Sequence, residues 1–398
     1  MHPSDEIKGI KSKILLNKKI ILGITGSIAS VENIKLSREL IRHGAEVIPV
    51  MSKASTKIIH PDSLEFATGK KPILELTGKA EHVSYCGRVK EKANMLLISP
   101  CTANTISKIA HGIDDNAVTT FASTAIGSGI PILIIPAMHI SMYDHNIIQN
   151  NIKKLKKIGI KIIDPNIIGN KAKIADIEEI VSMVIRITGK KDLINKKILI
   201  IGGSTAESID DVRFLSNRSS GKTAIGFVKN AFYRGGDIEL WYGYSREKIP
   251  KYIKTLNFKS IEDLITLLKT NDISKFDIII LCAAISDYTI EKVKGKIKSN
   301  EEKLILEMKQ SPKVISFLRE QAPNSIIVGF KLCENEDNII NEAKNLLTKH
   351  NLNFVVANVI SAIDSVKTKA WLIDERGKNS IIKGCKLNIT DNILDLVK

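Results

Sequence analysis

The sequence predicts an α/β protein of two domains in tandem, each a Rossmann-like three-layer sandwich. Three observations carry this. Runs of strand length recur with helical segments between them. The runs are apolar throughout, as strands of a parallel sheet covered on both faces must be. The pattern also restarts near residue 196, and a chain of 398 residues is long enough to bury two cores.

The elements follow in order. In the first half the runs are KKIILGITGS (18–27), AEVIPVMS (45–52), NMLLISP (94–100) and PILIIPAM (131–138). Residues 28–44 predict a helix, because Ile34, Leu36, Leu40 and Ile41 fall near helical spacing and Gly44 suits its end. The polar linker TGKKDL (188–193) divides the chain into predicted domains 1–190 and 191–398. The second half continues with KKILIIGG (196–203), DIELWYG (237–243), DIIILCAA (277–284), SIIVGF (325–330) and FVVAN (354–358). Residues 334–350 predict a helix with an acidic first turn and Lys349 in its last, complementing the helix dipole. Its buried stripe is Ile339, Ala343, Leu346 and Leu347. Residues 369–384 predict a hairpin turning at Arg376 and Gly377.

Composition narrows the function classes. The chain is 43% hydrophobic and 26% charged, as soluble globular proteins are. No apolar run reaches the roughly 18 residues of a membrane span. The start, MHPSDEIKGIKSK, lacks the apolar stretch of a secretion signal, so a cytoplasmic location is expected. A net charge of +16 attracts anions, but the lysines are spread among Ile and Asn along the whole chain, and aromatics are only 5%. Phosphorylated small molecules therefore fit better than nucleic acid or a membrane surface. Cys86, Cys101, Cys282, Cys333 and Cys385 form no CxxC pair and no zinc-like cluster. They read as reduced thiols, Cys282 as a buried apolar residue.

Ligands of open α/β sheets bind beyond the carboxyl ends of the strands, so those loops carry the chemistry. TGSIAS (25–30) offers Gly26, Ser27 and Ile28 at a helix start, a cradle for phosphate. Without the full G-x-G-x-x-G pattern, a mononucleotide fits it better than a dinucleotide. MSKAS (51–55) adds the Ser52 hydroxyl, and SPCTANTI (99–106) and PAMHISMY (136–143) end two further strands. His82, in KAEHVSY, lies just before a helical run and reads either as structural or as catalytic. In the second half, FLSNRSSGKTAIG (214–226) contains Gly-Lys-Thr, but Ser216 stands where a P-loop needs its first glycine. Ser219 or Ser220 is expected to cap the following helix, as an anion site or as an ordinary cap. AAISDYT (283–289) places Asp287 at a strand end, a ligand for a divalent ion beside phosphates or a turn cap. GKIKSN (295–300) and GFKLCEN (329–335) complete the loops.

The order Gly-Ser-Ile-Ala, His82, Pro-x-Thr-Ala-Asn, Pro-Ala-Met, then Ser-Asn-x-Ser-Ser-Gly-Lys and Ala-Ala-x-x-Asp-Tyr resembles one family. It is the bifunctional phosphopantothenoylcysteine decarboxylase / phosphopantothenate–cysteine ligase of coenzyme A biosynthesis. The resemblance runs from about Lys18 to the last helix, and PAMH and GNKAKIADIE are similar to archaeal members in particular. It implies an N-terminal flavodoxin-like flavoprotein domain and a C-terminal nucleotide-binding ligase domain.

For the first domain the resemblance implies FMN, held by Gly26, Ser27, Ile28, Ser52, Ser99, Thr102 and Ala103. The reaction implied is decarboxylation of 4′-phospho-N-pantothenoylcysteine to 4′-phosphopantetheine. His82 falls on the family's catalytic acid/base, and Asn104, Met138 and His139 fall on its substrate-binding positions. Two departures matter. His139 stands where bacterial members carry Asn, and 164–176 lacks the flap cysteine that protonates their intermediate. Lys171, Lys173 and His139 are the candidate donors in its place.

For the second domain the resemblance implies activation of 4′-phosphopantothenate by CTP or ATP, with Mg2+ or Mn2+, and attack by cysteine on the acyl-nucleotide. Asn217 falls on the residue that stabilises that intermediate, and Lys296 on a lysine that contacts the nucleotide. Ala283, Asp287, Pro312, Lys313, Phe330 and Lys349 fall on further contacts, Asp287 also on the metal. A homo-oligomer is implied as well, trimeric through the flavin domain and dimeric through the ligase domain. Two rivals are weighed against this. Another flavoprotein, such as a flavin prenyltransferase, would not need the Ser-Asn-x-Ser-Ser-Gly-Lys half, and a non-catalytic regulator would not need His82, Asn217 and Lys296.

Overall fold

Residues 2–298, 303–362, 365 and 367–398 are described by the structure, a computed structural model. They fall into two units, Met1–Gly189 and Lys190–Lys398. The last two residues of the GKIKSN segment lie outside the described residues.

The first unit contains β1 (Lys19–Ile24), β2 (Glu46–Met51), β3 (Met95–Cys101), β4 (Ile132–Pro136), β5 (Met138–His139), β6 (Lys161–Ile162), β7 (Asn166–Ile168) and β8 (Lys171–Lys173). Five of these make a parallel sheet in the order β2-β1-β3-β4-β6. Helices cover both faces, which is why Ile20, Ile21, Leu22, Leu96 and Leu97 are all fully buried. This is the flavodoxin-like order, with its switch point between β1 and β3.

Two local expectations change. The run 28–44 divides into a 3₁₀ turn, Ile28–Glu32, and the helix Asn33–Arg42. The tighter turn leaves Ile34 only half-buried, while Leu36, Leu40 and Ile41 face the core. The run 131–138 also breaks. β4 ends at Pro136, and Met138 with His139 leaves the main sheet to join an antiparallel sheet ordered β5-β8-β7.

The second unit contains β9 (Lys197–Gly202), β10 (Ala206–Ser208), β11 (Phe214–Ser216), β12 (Asp237–Tyr242), β13 (Lys254–Asn257), β14 (Ile278–Leu281), β15 (Tyr288–Ile290), β16 (Met308–Gln310), β17 (Ile326–Cys333), β18 (Phe354–Val359), β19 (Lys367–Asp374) and β20 (Asn379–Cys385). Eight form one sheet in the order β13-β12-β9-β14-β17-β18-β19-β20. The first six are parallel. The sheet is therefore not parallel throughout. β19 and β20 are joined by a tight turn at Gly377 (φ +75°), which forces them antiparallel, and they extend the edge. β10–β11 and β15–β16 are separate ribbons.

The helix expected at 334–350 spans Ile339–Lys349. β17 runs on to Cys333, so the acidic residues before Ile339 lie in the turn rather than in the first helical turn, and Glu336 pairs with Lys369. Ile339, Ala343 and Leu347 are buried, Leu346 half-buried. The closing helix Lys386–Val397 packs on the helix Lys222–Tyr233. Arg234, with only 4% of its side chain exposed, ties them together. It contacts Asp192 at 2.7 Å, Asp395 at 2.9 Å and Asp391 at 3.1 Å. Among the described residues, no helix is long and apolar enough to cross a membrane.

Candidate functional site

In the first unit the loops after β1 and β3 meet at the switch point. Thr25 Oγ1 donates to the Pro100 carbonyl at 2.8 Å and accepts the Thr102 N–H at 3.1 Å. Asn33 Nδ2 donates to the Ser99 carbonyl at 2.8 Å and the Ser30 carbonyl at 3.3 Å. Sequence reasoning missed both tethers, since Thr25 and Asn33 read as a strand end and a helical residue. Ser27 Oγ caps the 3₁₀ turn by accepting the Ala29 N–H, and Thr102 caps the helix Ala103–His111 through the Thr105 N–H at 3.3 Å. Ala103 is buried. Ser52 comes alongside, donating its N–H to the Ile24 carbonyl at 3.0 Å.

Gly26 lies against this second loop. A Cβ there would stand 2.5 Å from that of Ala54. Gly26, Ser27, Ile28, Ser52, Ser99, Thr102 and Ala103 are thus brought to one edge of the sheet. Ser99 Oγ and Asn33 Oδ1 are buried there with no hydrogen-bond partner among the described residues. Buried polar atoms are almost always paired, so such orphans mark where a ligand's polar groups belong. Asn104, in the first turn of its helix, is exposed.

His82 lies inside the helix Glu81–Cys86, not ahead of it. Thr77 fixes the start of that helix by bonding Glu81, whose carboxyl is held down at about 2 by the Thr77 hydroxyl and N–H. The helix packs on the helix Ala117–Ser128. His82 Nδ1 is buried without a partner among the described residues, and no hydrogen bond joins it to the switch-point loops. Met138 is half-buried and His139 exposed, both on β5, where β8 pairs Met138 with Ala172 and His139 with Lys171.

In the second unit the chain turns from β9 and β12 toward β14, so the switch point lies between β9 and β14. Ala284 donates its N–H to the Gly203 carbonyl at 2.8 Å, and Thr205 donates to the Ala284 carbonyl at 3.3 Å. Asn217 Nδ2 reaches the same carbonyl at 3.2 Å, which brings Asn217 and Ala283 to one place. The helix expected to be capped by Ser219 or Ser220 starts after Gly221, and the Ser220 hydroxyl accepts the N–H of its first residue, Lys222, at 3.5 Å. Gly221 takes φ +81°, and a Cβ would lie 2.1 Å from both Ser245 Oγ and Tyr242 Oη. The close approach of that strand end, invisible in the local sequence, sets the helix start.

Asp287 is ion-paired with Lys313, and its carbonyl accepts the Ser311 N–H at 2.9 Å, so Asp287, Pro312 and Lys313 are brought together. Burial first, then the Lys349 and Lys313 ammoniums, hold His350 below the usual histidine range. Lys296 is exposed on a pinned loop. Asp210 accepts the Ile297 N–H at 3.1 Å, and Arg213 donates to the Ile297 carbonyl at 2.7 Å. Burial opposes ionisation of Asp210, but the N–H groups of Ile297, Val212 and Arg213 and the Arg213 guanidinium outweigh it and hold the carboxyl well below its usual range. These two residues were also missed; the signal was Asp210-Asp211-Val212-Arg213 just ahead of the Ser-Asn motif.

Phe330 sits on β17, where Gly329 pairs with Leu281, two residues before Ala283. It packs edge-on against Phe227, with ring centroids 6.0 Å apart, and lines a small cleft with Thr223, Asn358 and Thr368. Cys282 is half-buried rather than buried, but its thiol donates to the Ile201 carbonyl, and burial pushes its pKa up to about 12. Among the described residues, no three His, Cys, Asp or Glu side chains cluster to hold a metal.

Fold and loops together define a protein of two ligand-binding α/β units, each with small residues, hydroxyls and close-approach glycines gathered at a switch point. The first matches the family Flavoprotein over residues 9–189, the second the DNA/pantothenate metabolism flavoprotein C-terminal domain over residues 193–398. The coenzyme A biosynthesis bifunctional protein CoaBC of Thermococcus kodakarensis is 40% identical over 403 residues, covering 100% of this chain and 99% of its own. That of Methanocaldococcus jannaschii is 42% identical over 411 residues, covering 100% and 98%. A solved C-terminal domain of a CoaBC protein is 24% identical, with a TM-score of 0.44 over 52% of this chain and 96% of its own. The chain belongs to the CoaBC family of coenzyme A biosynthesis bifunctional proteins. It is a bifunctional enzyme, a flavoprotein decarboxylase followed by a ligase.

Proposed function

We propose that the second unit joins 4′-phosphopantothenate to cysteine at the expense of CTP, and that the first unit, holding FMN, decarboxylates the conjugate to 4′-phosphopantetheine. The observation that carries the FMN reading is the meeting of the Thr25–Ser30, Ser52–Ser55 and Ser99–Asn104 loops at one switch point, with orphaned Ser99 Oγ and Asn33 Oδ1 beneath. These residues fit a phosphorylated flavin. Gly26 and Ser27 would take the phosphate, with Ile28, Ser52, Ser99, Thr102 and Ala103 around the remainder. When bound, the flavin supplies the electron sink for loss of carbon dioxide.

The chain's own residues bind, orient and move protons. His82 is the acid/base, its unpartnered Nδ1 ready for a group of the substrate. Asn104, Met138 and His139 hold the substrate, and the β7–β8 hairpin covers it from water. In the ligase, the substrate carboxylate attacks the α-phosphorus of the triphosphate and pyrophosphate leaves. Cysteine's amine then attacks the acyl carbon and the nucleoside monophosphate departs. Asn217 spends one N–H on Ala284 and offers its second N–H and its carbonyl to the acyl intermediate. Lys296, Lys313 and Lys349 neutralise the phosphates, while Ala283, Pro312 and Phe330 shape the pocket.

A divalent ion, Mg2+ or Mn2+, fits here as a partner of the nucleotide's phosphates, with Asp287 as its protein carboxylate, which must first leave Lys313. The working form is a cytoplasmic homo-oligomer, trimeric through the flavin units and dimeric through the ligase units. The test is direct. Full-length protein is given 4′-phosphopantothenate and cysteine with CTP or ATP, and the conjugate and carbon dioxide are measured. A colourless protein that binds no FMN, or one that forms no conjugate with either triphosphate, refutes the corresponding half.

A further inference from the structure

His139 ends β5 and caps the short helix Ile140–Tyr143. The Ser141 backbone N–H donates to its Nδ1 at 3.3 Å, and Ser141 Oγ lies 2.8 Å from the same nitrogen. A ring nitrogen that accepts an N–H carries no proton, so the neutral imidazole holds its proton on Nε2. The same local cap recurs at His2, His60 and His145, but of these four only His139 stands at the end of a sheet strand.

The facing strand adds charge. The Ile140 N–H donates to the Asn170 carbonyl at 3.1 Å, which makes His139 and Lys171 a non-hydrogen-bonded antiparallel pair. The side chains of such a pair leave the same face of the sheet and stand close together.

We propose that Ser141 is a positioning residue of the decarboxylase: it holds His139 in the Nε2–H tautomer, so that His139 binds the substrate carboxylate as a neutral donor beside the Lys171 ammonium. The inference rests on the decarboxylase reading above. It removes His139 from the candidate proton donors, because a neutral ring giving up its Nε2 proton would be left as an imidazolate.

The elements beside His139 carry Lys171 and Lys173 on β8 and Tyr143 in the capped helix, with Asp144 and His145 just beyond it. The Tyr143 hydroxyl is already committed to Asp164 at 3.1 Å. A carboxylate at position 141 would draw the proton to Nδ1 and turn the Nε2 lone pair toward the substrate. In the full-length holoenzyme, Ser141→Asp should therefore raise KM relative to wild type about tenfold or more near pH 8.5, as loss of a charge-assisted hydrogen bond does. The kcat ratio should move less than the KM ratio, because the tautomer acts on carboxylate binding.

His139→Gln places an amide N–H where Nε2 was and should keep KM within about threefold, whereas His139→Ala removes the donor and should raise KM about tenfold. A KM ratio near one for Ser141→Asp, or a Gln variant no better than the Ala variant, overturns the proposal. A wild type that releases no carbon dioxide from the conjugate overturns the decarboxylase reading instead, and this inference with it.

Discussion

Gly26→Ala probes the flavin cradle at its narrowest point. A Cβ at position 26 meets the Cβ of Ala54 at 2.5 Å and its carbonyl carbon at 3.3 Å. Carbon atoms rest at about 3.5–4.0 Å, so one of the two loops must retreat by roughly 1 Å. Gly26 has no positive φ, so the penalty is contact rather than backbone strain. Neither loop retreats freely. Thr25 is held by Pro100 and Thr102, and Ser55 is buried with its hydroxyl on the Ser52 carbonyl at 2.7 Å. Overpacking of this kind costs about 1–3 kcal/mol. A displacement of that size also misaligns N–H groups aimed at a phosphate, each worth about 1.5–3 kcal/mol.

The expected outcome is a weakening of FMN binding by roughly 10- to 100-fold, read by quenching of flavin fluorescence as FMN is titrated into apo-protein. Gly127→Ala is the control. Gly127 is exposed in the helix Ala117–Ser128 with nothing within 4 Å of an added Cβ, so alanine should stabilise by about 0.5–1 kcal/mol and leave FMN affinity alone. Wild-type FMN affinity in Gly26→Ala would show that these loops do not hold the flavin.

His82→Asn should abolish carbon dioxide release while flavin colour and ligation persist; loss of colour would make its role structural. Asn217→Asp should slow ligation by roughly 10- to 100-fold, because a carboxylate loses the donor to Ala284 and repels the phosphate, and conjugate formation at the wild-type rate would remove Asn217 from the reaction. Arg234→Met should cost the second unit about 2–3 kcal/mol, less than for a fully enclosed cluster because Asp391 and Asp395 are partly in solvent. Burial raises the Asp192 pKa, but Arg234 and Lys398 outweigh it and bring it down to about 2, so its stabilisation is present above about pH 4 and lost as pH falls toward 2. Melting curves should show that acid-side slope flattened in Arg234→Met; an unchanged slope would mean that Arg234 does not hold Asp192.

The two α/β units and most of their strands were legible because a strand buried on both faces must be an unbroken apolar run, as Ile278–Leu281 is. The hairpin after Lys367 was legible from Arg376 and Gly377, since turn chemistry is local. The switch-point loops followed from strand ends, and the family resemblance named their residues.

What the tertiary structure decided depends on surfaces that meet from far along the chain. Gly221 rather than Ser219 or Ser220 precedes the helix because Tyr242 and Ser245 press on that position. Asn33 is a tether rather than one more helical residue because the Ser99 carbonyl lies beneath it. β4 stops at Pro136 because Met138 and His139 pair instead with a hairpin some thirty residues onward, and that pairing places Lys171 beside His139. Periodicity and turn residues are properties of neighbours in sequence. Which backbone edge finds which partner, and which glycine lies under a distant side chain, is set only when the sheet has closed its order.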